Sequence, residues 1–286
     1  MLLSNIKNVH VALAEFKGEV NMIQRIITGV IAALIFLPLT FIGGFPFLLL
    51  IYAMASIALF EVLRMKKIPI FTFPGILSLL ILWIFMIPID QYQFFSFMDL
   101  ELKIELIFFG ILILMTYSII SHNKFSFENV GYTVLTILYI GIGFFYILET
   151  RTAGILYIFF ALFLIWATDS GAYFIGRKFG RRKLAPTISP NKTVEGSIGG
   201  IVCALVVTLI FFFFTELGQE YQLIHLIIIT IILSIFGQLG DLVESALKRF
   251  YNVKDSGNLL PGHGGILDRV DSWLFVMPLL HFLQFI

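Results

Sequence analysis

What most constrains this chain is a succession of nine apolar runs. They cover roughly residues 26–41, 45–63, 71–89, 104–120, 130–148, 154–175, 194–214, 223–246 and 270–285. A helix needs about 20 apolar residues to cross a hydrocarbon core of about 30 Å. In lipid the backbone must satisfy its own polar groups, and an α-helix does so within one segment. The runs therefore predict an all-α, polytopic integral membrane protein with about nine transmembrane helices. Only 13% of residues are charged, against about 25% in ordinary soluble chains. That excludes a soluble domain, and 286 residues leave no length for an additional one.

Orientation follows from the distribution of cations. With nine spans and a cytoplasmic N-terminus, all of the 19 Lys and Arg residues except Lys103 and Arg151 fall on the inner side. The reverse orientation violates the positive-inside rule. The C-terminus is then extracytoplasmic. Residues 1–21 lack the apolar core of a secretory signal and are read as an extension or a mis-assigned start, with no role. Residues 22–150, spans one to five, read as a scaffold whose charges Glu61 and Glu105 sit only at span edges. Residues 151–286, spans six to nine, read as the catalytic region. The net charge of +1 argues against nucleic-acid binding. Cys203 lies alone in an apolar run, so it is expected to pack as a small hydrophobe.

The acids sort with the cations. Asp169, Glu195, Asp241, Glu244, Asp268 and Asp271 fall near the cytoplasmic ends of the last four spans. A charge at mid-membrane costs about 2.5–3.5 kcal/mol on insertion scales, so six are tolerable only near the interface, facing one another and a cation. The richest stretch is 245–271, reading SALKRFYNVKDSGNLLPGHGGILDRVD. Asp268 and Asp271 are three apart and share a helix face. Two carboxylates about 4 Å apart repel by roughly 4 kcal/mol at an effective dielectric near 20. A hard cation such as Mg²⁺, which also shares itself with phosphates, relieves that repulsion. Lys248, Arg249 and Lys254 supply charge for phosphates, and Gly264 and Gly265 permit close backbone approach. His263 reads equally as a phosphate donor or a structural turn residue. Asp241, Glu244, Ser245 and Lys248 recur at helical spacing, and Asp241 is placed to complete a metal site with Asp268 and Asp271 across two antiparallel helices.

Two further segments carry chemistry. Asp169 lies inside the sixth span, with Tyr173 one turn later, where it would line the site. Ser189-Pro190-Asn191-Lys192-Thr193-Val194-Glu195-Gly196 reads as a turn into a helix N-terminus, where an anion is favoured. Lys192 adds a full charge there, and Glu195 is expected to cap the helix. The Walker pattern G-x-x-x-x-G-K-[ST] does not occur in the chain. Gly196 and Gly200 make a small-xxx-small face suited to helix packing.

The order S-x-L-K-R, K-D, P-G-H-G-G-x-x-D-R-x-D over Ser245–Asp271 resembles the C-terminal motif of the phosphatidate cytidylyltransferases (CDP-diacylglycerol synthases). The segments around Asp169 and S-P-x-K-T-x-E-G resemble further motifs of that family. The resemblance implies transfer of CMP from CTP to phosphatidate, with Mg²⁺ and room for a second cation. It implies metal-binding carboxylates at Asp241 and Asp268, with Asp271 close by. Lys248 and Arg249 join them in catalysis. Ser189, Asn191, Lys192, Thr193, Glu195, Asp169, Lys254, His263, Gly264, Gly265 and Arg269 are the expected substrate-binding set. The partners implied are CTP, phosphatidate and membrane lipids, with a homodimer left open, in a bacterial plasma membrane with the site facing the cytoplasm. A cation-coupled transporter is the rival of another class. The one-sided acids and the lack of an internal repeat weigh against it. The D-G-x-x-A-R block of CDP-alcohol phosphotransferases is absent.

Overall fold

A computed structural model describes residue 24 and residues 26–89 and 91–286. The expectations for residues 1–21 and Arg25 lie outside them. The chain is mostly helical. Among the described residues, six helices are long and apolar enough to cross a membrane. These are α2 (Gly44–Met65), α4 (Leu100–Ile120), α5 (Phe127–Ala153), α6 (Ile155–Phe179), α7 (Val194–Phe214) and α9 (Leu223–Phe250). The other three apolar runs form shorter helices: α1 (Ile26–Ile42), α3 (Phe73–Phe85) and α11 (Trp273–Phe282). Helix α3 has 13 residues and α11 has 10. At about 1.5 Å per residue they reach only about 20 Å and about 15 Å. A break at Asp271 and Ser272 separates α11 from the one-turn α10 (Leu267–Val270), and Pro278 lies within α11. A second short helix, α8 (Leu217–Glu220), joins α7 to α9.

One departure from an all-helical chain lies between α6 and α7. Strands β1 (Lys183–Ala185) and β2 (Ser189–Thr193) pair antiparallel, with Lys183 opposite Thr193 and Ala185 opposite Ser189. The Pro190–Thr193 segment expected as a turn is thus a strand that feeds directly into α7. Thr193, not Glu195, caps α7, accepting from the Gly196 amide at 3.1 Å. Glu195 points back and accepts from the Arg181 and Arg182 amides at the end of α6.

The C-terminal helices are joined by small residues and interhelical hydroxyls. A Cβ at Gly200 would come within 2.6 Å of the Thr168 carbonyl oxygen, and one at Gly196 within 2.7 Å of the Ala172 carbonyl oxygen. The glycines therefore serve packing of α7 on α6, as their spacing suggests. Cys203 of α7 packs against Gly171 of α6. Thr168 meets Ser234 at 3.0 Å, linking α6 to α9. Thr208 meets Thr230 at 2.6 Å, linking α7 to α9.

Helix α5, with 27 residues, runs through the bundle and defines its two ends. At about 1.5 Å per residue those ends lie about 40 Å apart. At one end Arg151 donates to the carbonyls of Thr40 and Phe41. Gly43 adopts a φ of 67° there, and a Cβ on it would meet the guanidinium at 2.6 Å. Lys103 belongs to this end, since Gln91 and Tyr92 line one cavity with Lys103 and another with Arg151. At the other end Lys66 pairs with Glu128. Tyr132 donates to the Val62 carbonyl at 2.7 Å and its ring meets that of Tyr251 at 5.6 Å. The loop following α9 is therefore at the end opposite Arg151.

Candidate active site

The polar loop between α9 and α11 closes on Asp268. Its Oδ1 accepts from Lys248 Nζ at 2.7 Å. Its Oδ2 accepts from the amides of Ser256 and Gly265 and from the Ser256 hydroxyl, each at 2.8 Å. Burial alone would push this carboxyl up. The contacts from Lys248 and Gly265 outweigh it and hold the group down at about 2. Lys248 bridges Asp268 to Glu244, one turn earlier on α9, whose side chain is fully buried. Gly264 takes a φ of 85°, and a Cβ there would lie 2.5 Å from Asp268 Oδ2. The glycines reserved by the sequence reading for phosphate approach thus admit the protein's own carboxylates.

A second cluster adjoins the first. Lys192, at the end of β2, pairs with Asp241 of α9 at 2.5 Å. Ser245 donates to Asp241 at 3.3 Å. Asp169 of α6 is within electrostatic reach of Asp241 and Lys192, and Asp271 within reach of Asp241, Asp169 and Lys248. Asp271 also accepts from the Ser272 amide at 2.8 Å. Three separate chain segments thus bring carboxylates to one place. Asp169 is exposed, while Asp241 and Asp271 are partly so.

The remaining expected residues sit around these clusters. Arg249 donates to the Ile188 carbonyl, tying α9 to the hairpin. Arg269 donates through two nitrogens to the His263 carbonyl at 3.0 and 2.8 Å. The His263 ring lies near Gly29 of α1. Ser189 is half-buried, whereas Asn191 and Lys254 are exposed.

Comparison with known proteins identifies the family. Residues 23–286 match the cytidylyltransferase family. The chain belongs to the cytidylyltransferase family. A phosphatidate cytidylyltransferase of Bacillus subtilis (strain 168) is 56% identical over 267 residues, covering 92% of this chain and 98% of the relative. One from Staphylococcus haemolyticus (strain JCSC1435) is 48% identical over 259 residues, covering 91% and 97%. One from Staphylococcus aureus (strain COL) is 44% identical over the same length and shares.

For a cytidylyltransferase the donor set has suitable chemistry for a divalent cation. Five carboxyl groups, Asp169, Asp241, Glu244, Asp268 and Asp271, stand against two ammonium groups, Lys192 and Lys248. Oxygen donors in charge excess are what a hard cation requires. In the present side-chain arrangement, no three His, Cys, Asp or Glu among the described residues converge as a metal cage. Asp241 turns to Lys192 and Asp268 to Lys248.

One residue of this site escapes a reading of the sequence. Glu61, near the end of α2, is only 2% exposed. Its Oε1 accepts from the Ile266 amide and its Oε2 from the Leu267 amide, both at 2.9 Å. The Ser256 hydroxyl lies between the two carboxylates, 3.1 Å from Glu61 Oε2 and 2.8 Å from Asp268 Oδ2, sharing its one proton between them. The scaffold half therefore reaches into the catalytic loop. The available sequence signal was an acid at a span edge followed by Arg64, Lys66 and Lys67, which marks the side of the bundle but not the partner.

Proposed function

We propose that the protein transfers CMP from CTP to phosphatidate, giving CDP-diacylglycerol and pyrophosphate. The observation that carries this is the pairing of Lys192 with Asp241, with Asp169 and Asp271 within electrostatic reach of Asp241, at one end of a membrane-type helix bundle. Cation-holding and phosphate-neutralising groups are thereby adjacent. The names of the relatives supply phosphatidate and the cytidylyl group as the substrate classes.

In the reaction a phosphate oxygen of the lipid bonds to the α-phosphorus of CTP. The bond from that phosphorus to the bridging oxygen breaks, and pyrophosphate leaves. The lipid phosphate is anionic near neutral pH, so positioning and charge stabilisation carry most of the rate without a strong general base. Lys192 leaves Asp241 for a CTP phosphate, where the positive end of α7 adds to its charge. Asp241, Asp268 and Asp271 would hold Mg²⁺, with Asp169 available to a second cation. When bound, the ion neutralises charge on the nucleotide and the attacking group. Lys248 and the Ser256 and Gly265 donors keep Asp268 ionised and fixed. Arg249 holds the hairpin that carries Lys192, and exposed Lys254 is free to meet the triphosphate.

The site faces the cytoplasm of a bacterial plasma membrane, with nine segments crossing or entering the bilayer. The common end of Lys103 and Arg151, opposite the acidic clusters, supports this orientation. Purified protein given labelled CTP, phosphatidate and Mg²⁺ should yield lipid-extractable label as CDP-diacylglycerol, and chelation should stop it. Folded protein that transfers no label overturns the assignment. Single cysteines replacing Arg151 and Lys254 in a Cys203→Ala background should react with an impermeant thiol reagent from opposite sides; reaction from one side refutes the orientation.

A further inference from the structure

Glu61 makes its contacts across about two hundred residues of sequence, to both ends of one loop. Ser256 opens that loop segment, and Ile266 and Leu267 close it. Ser256 is itself 5% exposed and gives Asp268 Oδ2 two of its three donors, its amide and its hydroxyl. The third, the Gly265 amide, directly precedes Ile266. Every donor on Asp268 Oδ2 therefore belongs to Ser256, whose hydroxyl also meets Glu61, or to Gly265, whose neighbour Ile266 is held by Glu61. The other oxygen of Asp268 holds Lys248.

Two glycines make room for the Glu61 carboxylate. A Cβ on Gly257 would lie 2.4 Å from Glu61 Oε1. A Cβ on Gly265 would lie 2.4 Å from that atom and 2.2 Å from Ser256 Oγ. The loop is built around this side chain as closely as around Asp268. A buried carboxylate is unfavourable unless its oxygens are occupied by donors, and here the donors are the loop itself.

We propose that Glu61 is a positioning residue for the active site, fixing through Ser256 and the Ile266–Leu267 backbone the orientation in which Asp268 presents its carboxylate. It touches neither substrate nor reacting atoms. This inference rests on the transferase reading for its kinetic consequence, but not for its structural one.

The full-length protein, purified in detergent, tests both. Glu61→Gln keeps the size of the side chain but replaces one acceptor with a donor, so it satisfies only one of the two backbone amides. The variant should retain a cooperative thermal transition near that of the parent. Its kcat should fall about tenfold or more while KM for CTP changes by less than about threefold, because the lost interaction acts on the aligned transition state. Ser256→Ala, which removes a single hydroxyl, should behave alike and stands in should Glu61→Gln not fold. The double variant should be hardly worse than either single one, as expected for groups acting through one contact. Tryptic cleavage after exposed Lys254 should be faster in Glu61→Gln whatever the activity. If the parent protein transfers no CMP, the transferase reading fails and the cleavage rate alone decides whether Glu61 holds the loop. Unchanged kcat in folded Glu61→Gln, fully additive losses, or unchanged cleavage at Lys254 overturns the proposal.

Discussion

The two carboxylate clusters, although adjacent, are built on opposite terms. Around Asp268 the carboxylate oxygens are occupied by Lys248, Ser256 and Gly265, and Glu61 and the loop glycines fill the space behind. Around Asp241 the contacts are one ion pair with Lys192 and one long hydrogen bond from Ser245, both partly exposed. The first cluster is a frame whose geometry is set before any ligand arrives. The second holds charge that a ligand can rearrange at little cost. Polar sites that act through preorganisation need both, a rigid support and an accessible surface.

The largest expected effects test this contrast directly. Asp241→Asn and Asp268→Asn should each reduce turnover by about a thousandfold or more, and together hardly further. Their stabilities should differ. Asp268→Asn removes one partner of a buried pair, a change that typically costs about 3 kcal/mol or more. Asp241→Asn breaks a half-exposed pair worth about 1 kcal/mol or less. Calorimetry in detergent checks this, and equal losses would erase the distinction between frame and open cluster.

Gly265→Ala comes next. Its methyl would collide with Ser256 and Glu61. A destabilisation of about 1–3 kcal/mol is expected from such overpacking. Activity should fall with it, whereas a full-activity variant would show that the loop can relax. Lys192→Ala should cost about tenfold in kcat/KM for CTP, close to about 1.4 kcal/mol, with folding intact. Steady-state kinetics over a CTP series reads it.

The frame around Asp268 also sets a dependence of stability on pH. In the folded protein Asp268 titrates at about 2, below its ordinary value of 3.8. The folded state therefore binds this proton more weakly than the unfolded one. The stabilisation is present in full above the unfolded value and is lost as pH falls through the folded one, between about pH 4 and 2. In metal-free protein, Asp268→Asn should flatten the fall in thermal midpoint over that window.

The Glu244–Lys248 pair was legible in the sequence because a spacing of four is local, and local spacing dictates which side chains share a helix face. The packing role of Gly196 and Gly200 was legible for the same reason. The hairpin was not, because β1 and β2 are too short for alternation to declare a strand. The Thr193 cap was hidden by Glu195, a plausible alternative only two residues away.

By itself the sequence determined that the chain is a helical membrane-type protein, since apolar runs of this length leave the backbone few other ways to satisfy its polar groups. It also determined that the acids of the last four spans gather toward one end, since burying them singly in the apolar interior is prohibitive. Only the tertiary structure decided which acids face which cations. Lys192 of β2 meets Asp241 of α9, Lys248 meets Asp268 across 20 positions, and Glu61 meets Ser256 across 195. Such pairings depend on how helices dock, and docking is set by complementary surfaces contributed by many residues at once, which no local spacing records.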